Sequence, residues 1–183
     1  VADLDIDAWS SRFHAGELEI VCPLAGEHQV ENARLAGIAL SLLGAGPAGI
    51  ARTRWPGRLE RVRTSPDIVL DGAHNPAGAR ALASYLTRFH AGRRVLMIFG
   101  VMRDKSVEEI AGVLFPHVHQ LILTAPEQPR AFRPEALARL AAHPNQRIAP
   151  NLRAALAWPI DCDFLLITGS LYLVGEARLL FVQ

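Results

Sequence analysis

Two rhythms of apolar and polar positions run through this chain, and the switch between them marks its elements. Short, nearly continuous apolar runs at 67–70, 94–99, 119–123, 146–148 and 163–168 read as buried strands. Between and after them, three- and four-residue spacing predicts helices over 77–89, 106–114, 134–141, 151–157 and 172–180. In the 77–89 segment, Ala81, Leu82, Tyr85, Leu86 and Phe89 share one face. Strands alternating with helices predict an α/β fold, a mainly parallel sheet with helices on both faces.

The first third reads differently. Residues 1–14 are mixed and acidic, with Trp9 and Phe13, and give no clear element. Glu17–Cys22 reads as a strand ended by Pro23, and an Ala- and Leu-rich helical pattern runs from beyond Asn32 to about Leu43. Leu35–Ala51 carries no charge, but it holds four glycines and a proline. It is also short for a span needing about 20 residues, so it is expected to be a buried helix with its exit loop. Arg52–Arg63 then packs five arginines around Trp55-Pro56-Gly57, a break typical of a linker. The expected division is residues 1–52 and 53–183. Arg61-Val62-Arg63 could add a strand after the break, and Leu179–Gln183 could be a last strand or a truncated end.

Composition narrows the field only slightly. A net charge of +1 over 183 residues argues for neither nucleic acid nor a membrane surface as partner. The basic residues are almost all arginine, with Lys105 the only lysine. Cys22 and Cys162 fit no metal-ligand spacing and suggest a reduced, cytoplasmic setting. No metal-ligating cluster is expected within the chain.

Chemistry concentrates where predicted strands end. Leu70-Asp71-Gly72-Ala73-His74-Asn75-Pro76 is a strand, a tight turn and a helix start, with polar side chains packed into the turn. Asp71 could simply cap that turn, or it could face a ligand, because ligands of open α/β sheets bind at strand carboxyl ends. Phe99–Lys105 follows a second strand and Ile167–Ser170 a third, so parallel strands would bring these loops to one rim. Gly44-Ala-Gly-Pro-Ala-Gly49 matches a dinucleotide-binding glycine pattern, but it follows a helical stretch rather than a strand and reads as an exit loop.

Together these motifs resemble the folylpolyglutamate synthase/dihydrofolate synthase branch of the Mur ligase superfamily. The resemblance rests on Gly26-Glu-His-Gln-Val-Glu-Asn32, Trp55-Pro-Gly-Arg58, Asp71–Pro76, Gly100 with Asp104-Lys105, and Thr168-Gly-Ser-Leu-Tyr-Leu173, in that order. It implies a Rossmann-like domain preceded by the tail of a second, central α/β ATPase domain. It further implies a ligase that phosphorylates a folate or dihydropteroate carboxylate with ATP and Mg2+, then couples it to L-glutamate. By the same resemblance, Asn32 would meet adenine, Arg58 the phosphates and Asp71 the ribose hydroxyls. A guanidinium forks two bonds to a phosphate, and a carboxylate can accept from two neighbouring hydroxyls. His74 and Ser170, with Asp104 and Lys105, would surround the incoming glutamate. His74 could orient it or take its proton, as imidazoles do near neutral pH.

Blander readings stand beside these. His74 could simply be held by backbone hydrogen bonds, Asp104 and Lys105 could belong to a solvated helix-entry loop, and the other arginines to a solvated linker. The phosphate loop, the magnesium ligands and the folate pocket would lie before residue 1, so the missing ATPase domain is an expected partner and the chain alone should be inactive. The alternatives are a peptidoglycan-precursor amino-acid ligase of the same superfamily and a non-catalytic binding domain of this fold.

Overall fold

A computed structural model describes residues 1–182, and the chain divides into two compact units, Val1–Arg58 and a second from Leu59 onward. In the first unit, β1 (Ala2–Ile6), β2 (Ser11–Ala15) and β3 (Leu18–Cys22) form an antiparallel sheet in sequence order. Asp7 shapes the first turn by accepting from the amides of Trp9 and Ser10 at 2.6 and 2.7 Å. Helix α1 (Glu27–Leu42) and a 3-10 helix (Pro47–Arg52) cover this sheet around Phe13, Ile20, Val30 and Ile50. The helix starts at Glu27, upstream of the expected apolar stretch, because Gly26 takes φ +96° and turns the chain into it. Its apolar run is only half buried. Leu35, Leu42 and Leu43 are exposed, so the expected buried helix is corrected to a helix with one buried face. The Gly44–Gly49 segment leaves that helix and enters the 3-10 turn, with no strand before it.

In the second unit a six-stranded sheet runs β4-β5-β9-β6-β7-β8. Its strands are β4 (Glu60–Thr64), β5 (Asp67–Asp71), β6 (Val95–Phe99), β7 (Gln120–Leu123), β8 (Gln146–Ile148) and β9 (Phe164–Thr168). Only β4 is antiparallel to its neighbour. Strands β6 and β9 are buried along their whole length, which is why they read as unbroken apolar runs. The period of two divides their side chains between two faces. Ile68, Leu70, Leu96, Ile98, Leu165 and Ile167 pack with helices α5 (Leu152–Leu156) and α6 (Leu171–Phe181). On the opposite face, Phe99 meets Phe115 edge-on at 5.3 Å, beyond helix α3 (Val107–Leu114). Helices α2 (Pro76–Phe89) and α4 (Pro134–Leu140) complete the set. Helix α6 continues to Phe181, so Leu179–Phe181 is helical rather than a last strand, and Gln183 lies outside the described residues. Among the described residues no helix is long and apolar enough to cross a membrane.

His90 closes α2 against Phe164, its ring 4.1 Å from the phenyl centroid and 3 % exposed. Burial, reinforced by the Arg93 guanidinium, pushes its pKa from the ordinary 6.5 down to about 4. The fold therefore holds the neutral imidazole, and the unfolded chain binds a proton first as pH falls. Full stability is present above about pH 6.5 and is lost towards pH 4, by about 3 kcal/mol at most. Urea melts between pH 7 and pH 4 are expected to show that loss, and a His90→Gln variant to flatten it.

Candidate functional site

Three strand ends build the rim of the second unit. Strand β5 stops at Asp71. Beyond it, Asn75 takes an extended conformation and caps α2, its Oδ1 accepting from the Gly78 amide at 2.8 Å, while Pro76 fills the first helical position. His74 donates from Nδ1 to the Gly72 carbonyl at 2.7 Å, which leaves Nε2 as the basic nitrogen of the neutral ring. Strand β9 passes through Gly169, at φ +101°, into Ser170, whose hydroxyl accepts from the Tyr172 amide at 3.1 Å and caps α6. Strand β6 ends beside them, with the Gly100 amide donating to Thr168 at 3.2 Å.

The loop after β6 is fastened to the loop after β7. Met102 bridges Ala131, and the Arg103 guanidinium donates to the carbonyls of Ala131 at 3.1 Å and Pro129 at 2.8 Å. This fold-back brings Arg130 to the rim. A cavity of about 220 Å³ results, lined by His74, Met102, Asp104, Lys105, Arg130, Ser170, Leu171 and Tyr172. His74, Asp104, Lys105 and Ser170, four of the residues singled out from sequence, thus share one cavity. Lys105 and Asp104 pair at 3.1 Å, and that hydrogen bond holds the Asp104 carboxyl below its ordinary range. Arg130 and Tyr172 were missed. Arg130 follows the carboxyl end of β7, so the strand-end rule applied to a fourth strand could have found its loop.

Asp71 is 6 % exposed and does not line the cavity. Its Oδ2 accepts from the Leu59 amide at 2.9 Å and its Oδ1 from the Ala73 amide at 2.8 Å. The carboxylate therefore ties the end of β5 to the residue that opens this unit.

The remaining two candidates lie in the first unit. Asn32 sits on α1, exposed, and donates from Nδ2 to Gln29 Oε1 at 3.0 Å. Gln29 in turn donates from Nε2 to His28 Nε2 at 3.2 Å. The Arg58 guanidinium lies over the Trp55 ring at 5.7 Å. Burial first, and the charge of Arg58 second, lower the pKa of His28. Among the described residues no three His, Cys, Asp or Glu side chains gather as metal ligands.

A family model described as "Mur ligase, glutamate ligase domain" matches residues 57–171. The chain belongs to the Mur ligase family. Its matched segment contains the whole cavity except Tyr172, which directly follows it. The dihydrofolate synthase/folylpolyglutamate synthase of Mycobacterium tuberculosis is 37 % identical over 195 residues, covering 89 % of this chain and 40 % of the relative. A solved structure of the folylpolyglutamate synthase from the same organism, complexed with ADP and AMPPCP, superposes with a TM-score of 0.88 at 35 % identity. It covers 100 % of this chain and 48 % of that one. A UDP-N-acetylmuramoyl-L-alanyl-D-glutamate–2,6-diaminopimelate ligase from Bradyrhizobium diazoefficiens is 33 % identical over 196 residues, covering 96 % of this chain and 40 % of the relative. The chain thus spans less than half the length of these Mur ligase relatives.

Proposed function

We propose that the chain is the carboxyl-terminal part of an ATP-dependent ligase that couples L-glutamate to the carboxylate of a folate or of dihydropteroate. The cavity carries the reading. At about 220 Å³ it lies below the usual size of drug-binding pockets, roughly 300–1,000 Å³, and suits a small ligand. Lys105 and Arg130 offer cations for two carboxylates, and Asp104 an anion for an ammonium. Glutamate carries that set of charges.

In the proposed reaction ATP converts the folate carboxylate to an acyl phosphate. The glutamate amine attacks the acyl carbon, the C–N bond forms, and the C–O bond to phosphate breaks. His74 Nε2 takes the proton the amine loses, because its other nitrogen is committed to Gly72. Arg58 with the phosphates, Asp71 with the ribose and Asn32 with adenine are proposed on the resemblance of their motifs. The magnesium ligands and the folate pocket belong to the remainder of the protein. Cys22 and Cys162, both free, suit a reducing cytoplasm.

The test is Arg130→Ala in the full-length protein. Losing a charge-assisted bond of about 1.5–3 kcal/mol should raise the KM for glutamate roughly 10- to 100-fold. The KM for ATP should hold. An unchanged glutamate KM would remove the cavity from amino-acid binding. The diaminopimelate ligase relative supports a second reading in which the same cavity holds a different amino acid. Turnover with diaminopimelate in place of glutamate would favour it.

A further inference from the structure

We propose that Arg103 and Glu176 are positioning residues for Arg130: one from the loop after β6 and one from α6, they hold the main chain that presents its guanidinium to the cavity. The inference rests on the reading of the cavity as the glutamate site and adds what keeps its cation in place.

Arg130 stands on an exposed stretch. Between the buried Pro126 and Ala131, residues Glu127, Gln128, Pro129 and Arg130 are all exposed. The root of this loop is packed, since a Cβ on Gly100 would lie 2.9 Å from the Thr124 carbonyl oxygen and 3.1 Å from Pro126 Cδ. Exposed loop residues beyond such a root sample several conformations unless hydrogen bonds hold them. The Arg130 guanidinium makes no hydrogen bond among the described residues, so the backbone beneath it decides how often it faces the cavity.

Arg103 holds one part of the loop. Three successive carbonyls accept from it: Pro129 from Nη2 at 2.8 Å, Arg130 from the main-chain amide at 3.0 Å and Ala131 from Nε at 3.1 Å. The Phe132 amide then donates to the Val101 carbonyl at 2.9 Å and continues the pairing. A guanidinium presents its donors in a fixed planar fork, which suits two carbonyls that flank one residue. Arg103 does not line the cavity. Its donors go to the loop.

Glu176 holds the other part. It lies on α6, whose first turn supplies Leu171 and Tyr172 to the cavity. Its Oε1 accepts from the Glu127 amide at 2.7 Å. Burial pushes the Glu176 carboxyl above its ordinary range, the Glu127 amide opposes that shift, and the charge of Glu127 adds to it. A carboxylate set against desolvation and a like charge is favoured there by its donor, and that donor is the loop amide. The two tethers thus tie Arg130 to the elements that bring Lys105 and Tyr172 to the same cavity. A ligand's apparent affinity falls with the fraction of molecules whose site is assembled. Loosening either tether lowers that fraction.

The experiment measures the KM for glutamate and for ATP in the full-length ligase. Arg103 is exposed, and Arg103→Met keeps the aliphatic stem without the fork; it is expected to raise the glutamate KM about tenfold. Glu176→Leu is expected to raise it about threefold. Glu176→Gln, whose side-chain oxygen still accepts from the Glu127 amide, is expected to restore most of the parent value. The KM for ATP should hold in all three. In an Arg130→Ala background the same substitutions are expected to raise the glutamate KM no further, because residues that act through one side chain are not additive. Should Glu176→Leu not fold, Glu176→Ala takes its place. A variant that lowers the urea midpoint but leaves the glutamate KM unmoved assigns its residue to folding and overturns its positioning role. A further rise in the Arg130→Ala background overturns both roles and leaves the glutamate reading standing. A glutamate KM unmoved by Arg130→Ala itself overturns that reading, and the positioning roles with it.

Discussion

Gly169→Ala is expected to destabilise the second unit by about 3–5 kcal/mol, combining left-handed backbone strain of roughly 1–3 kcal/mol with overpacking of similar size. Gly169 stands at φ +101°, where an L side chain is strained whatever the space around it. There is also no space. A Cβ would lie 2.7 Å from the Gly100 carbonyl oxygen and 2.7 Å from Cε2 of Phe99. Neither neighbour yields easily, because Gly100 is backbone-bonded to Thr168 and the Phe99 ring is wedged against Phe115. The turn between β9 and α6 would have to move outward, carrying Ser170 with it. The measurement is the urea midpoint, read at unchanged slope. Gly112→Ala is the control: this glycine lies inside α3 with nothing near its would-be Cβ, so alanine should stabilise by up to about 1 kcal/mol. A Gly169→Ala midpoint within error of the parent would mean that the turn relaxes freely.

How much of this was legible beforehand follows from which signals are local. A strand buried on both faces announces itself as an apolar run, so β5, β6, β7 and β9 could be placed to within a residue or two. Strands β1 and β2 could not. The β1 side chains are mostly exposed, and the Asp3 φ of +50° interrupts its pairing with β2, so no clean alternation survives. The position of β9 between β5 and β6 leaves no trace in its own residues. That order is settled by tertiary packing, and it is what sets Gly169 against Gly100.

The site divides in the same way. The strand–turn–helix pattern marks the loops that carry His74, Asp104, Lys105 and Ser170, and the resemblance of their motifs picks those residues out within the loops. The strand-end rule applied to β7 marks the loop that holds Arg130 but not the residue itself, which reaches the cavity where Arg103 and Met102 fold that loop back. The amide chain from His28 through Gln29 to Asn32 lies within one helical turn, yet only coordinates reveal which atoms face each other.

Asp71→Ala is expected to cost about 3–4 kcal/mol of stability, because each hydrogen bond to a charged group is worth roughly 1.5–3 kcal/mol and two amides are left buried. The Leu59 amide is the more exposed to that loss. Leu59 is a non-glycine residue at φ +45°, 5 % exposed, and the Asp71 carboxylate is what receives its N–H. Asp71→Asn should fall between the parent and alanine, since the amide can accept one of the two N–H groups but turns a donor toward the other. A turn clamp and a ribose contact are two readings of this carboxylate. They separate by experiment. In the full-length ligase, assayed well below the variant's own melting temperature, a ribose contact predicts a raised KM for ATP with the KM for glutamate held. A clamp alone predicts the full loss of stability with both constants unmoved, and that result would withdraw Asp71 from the nucleotide and leave it as the residue that joins β5 to the first residue of its unit.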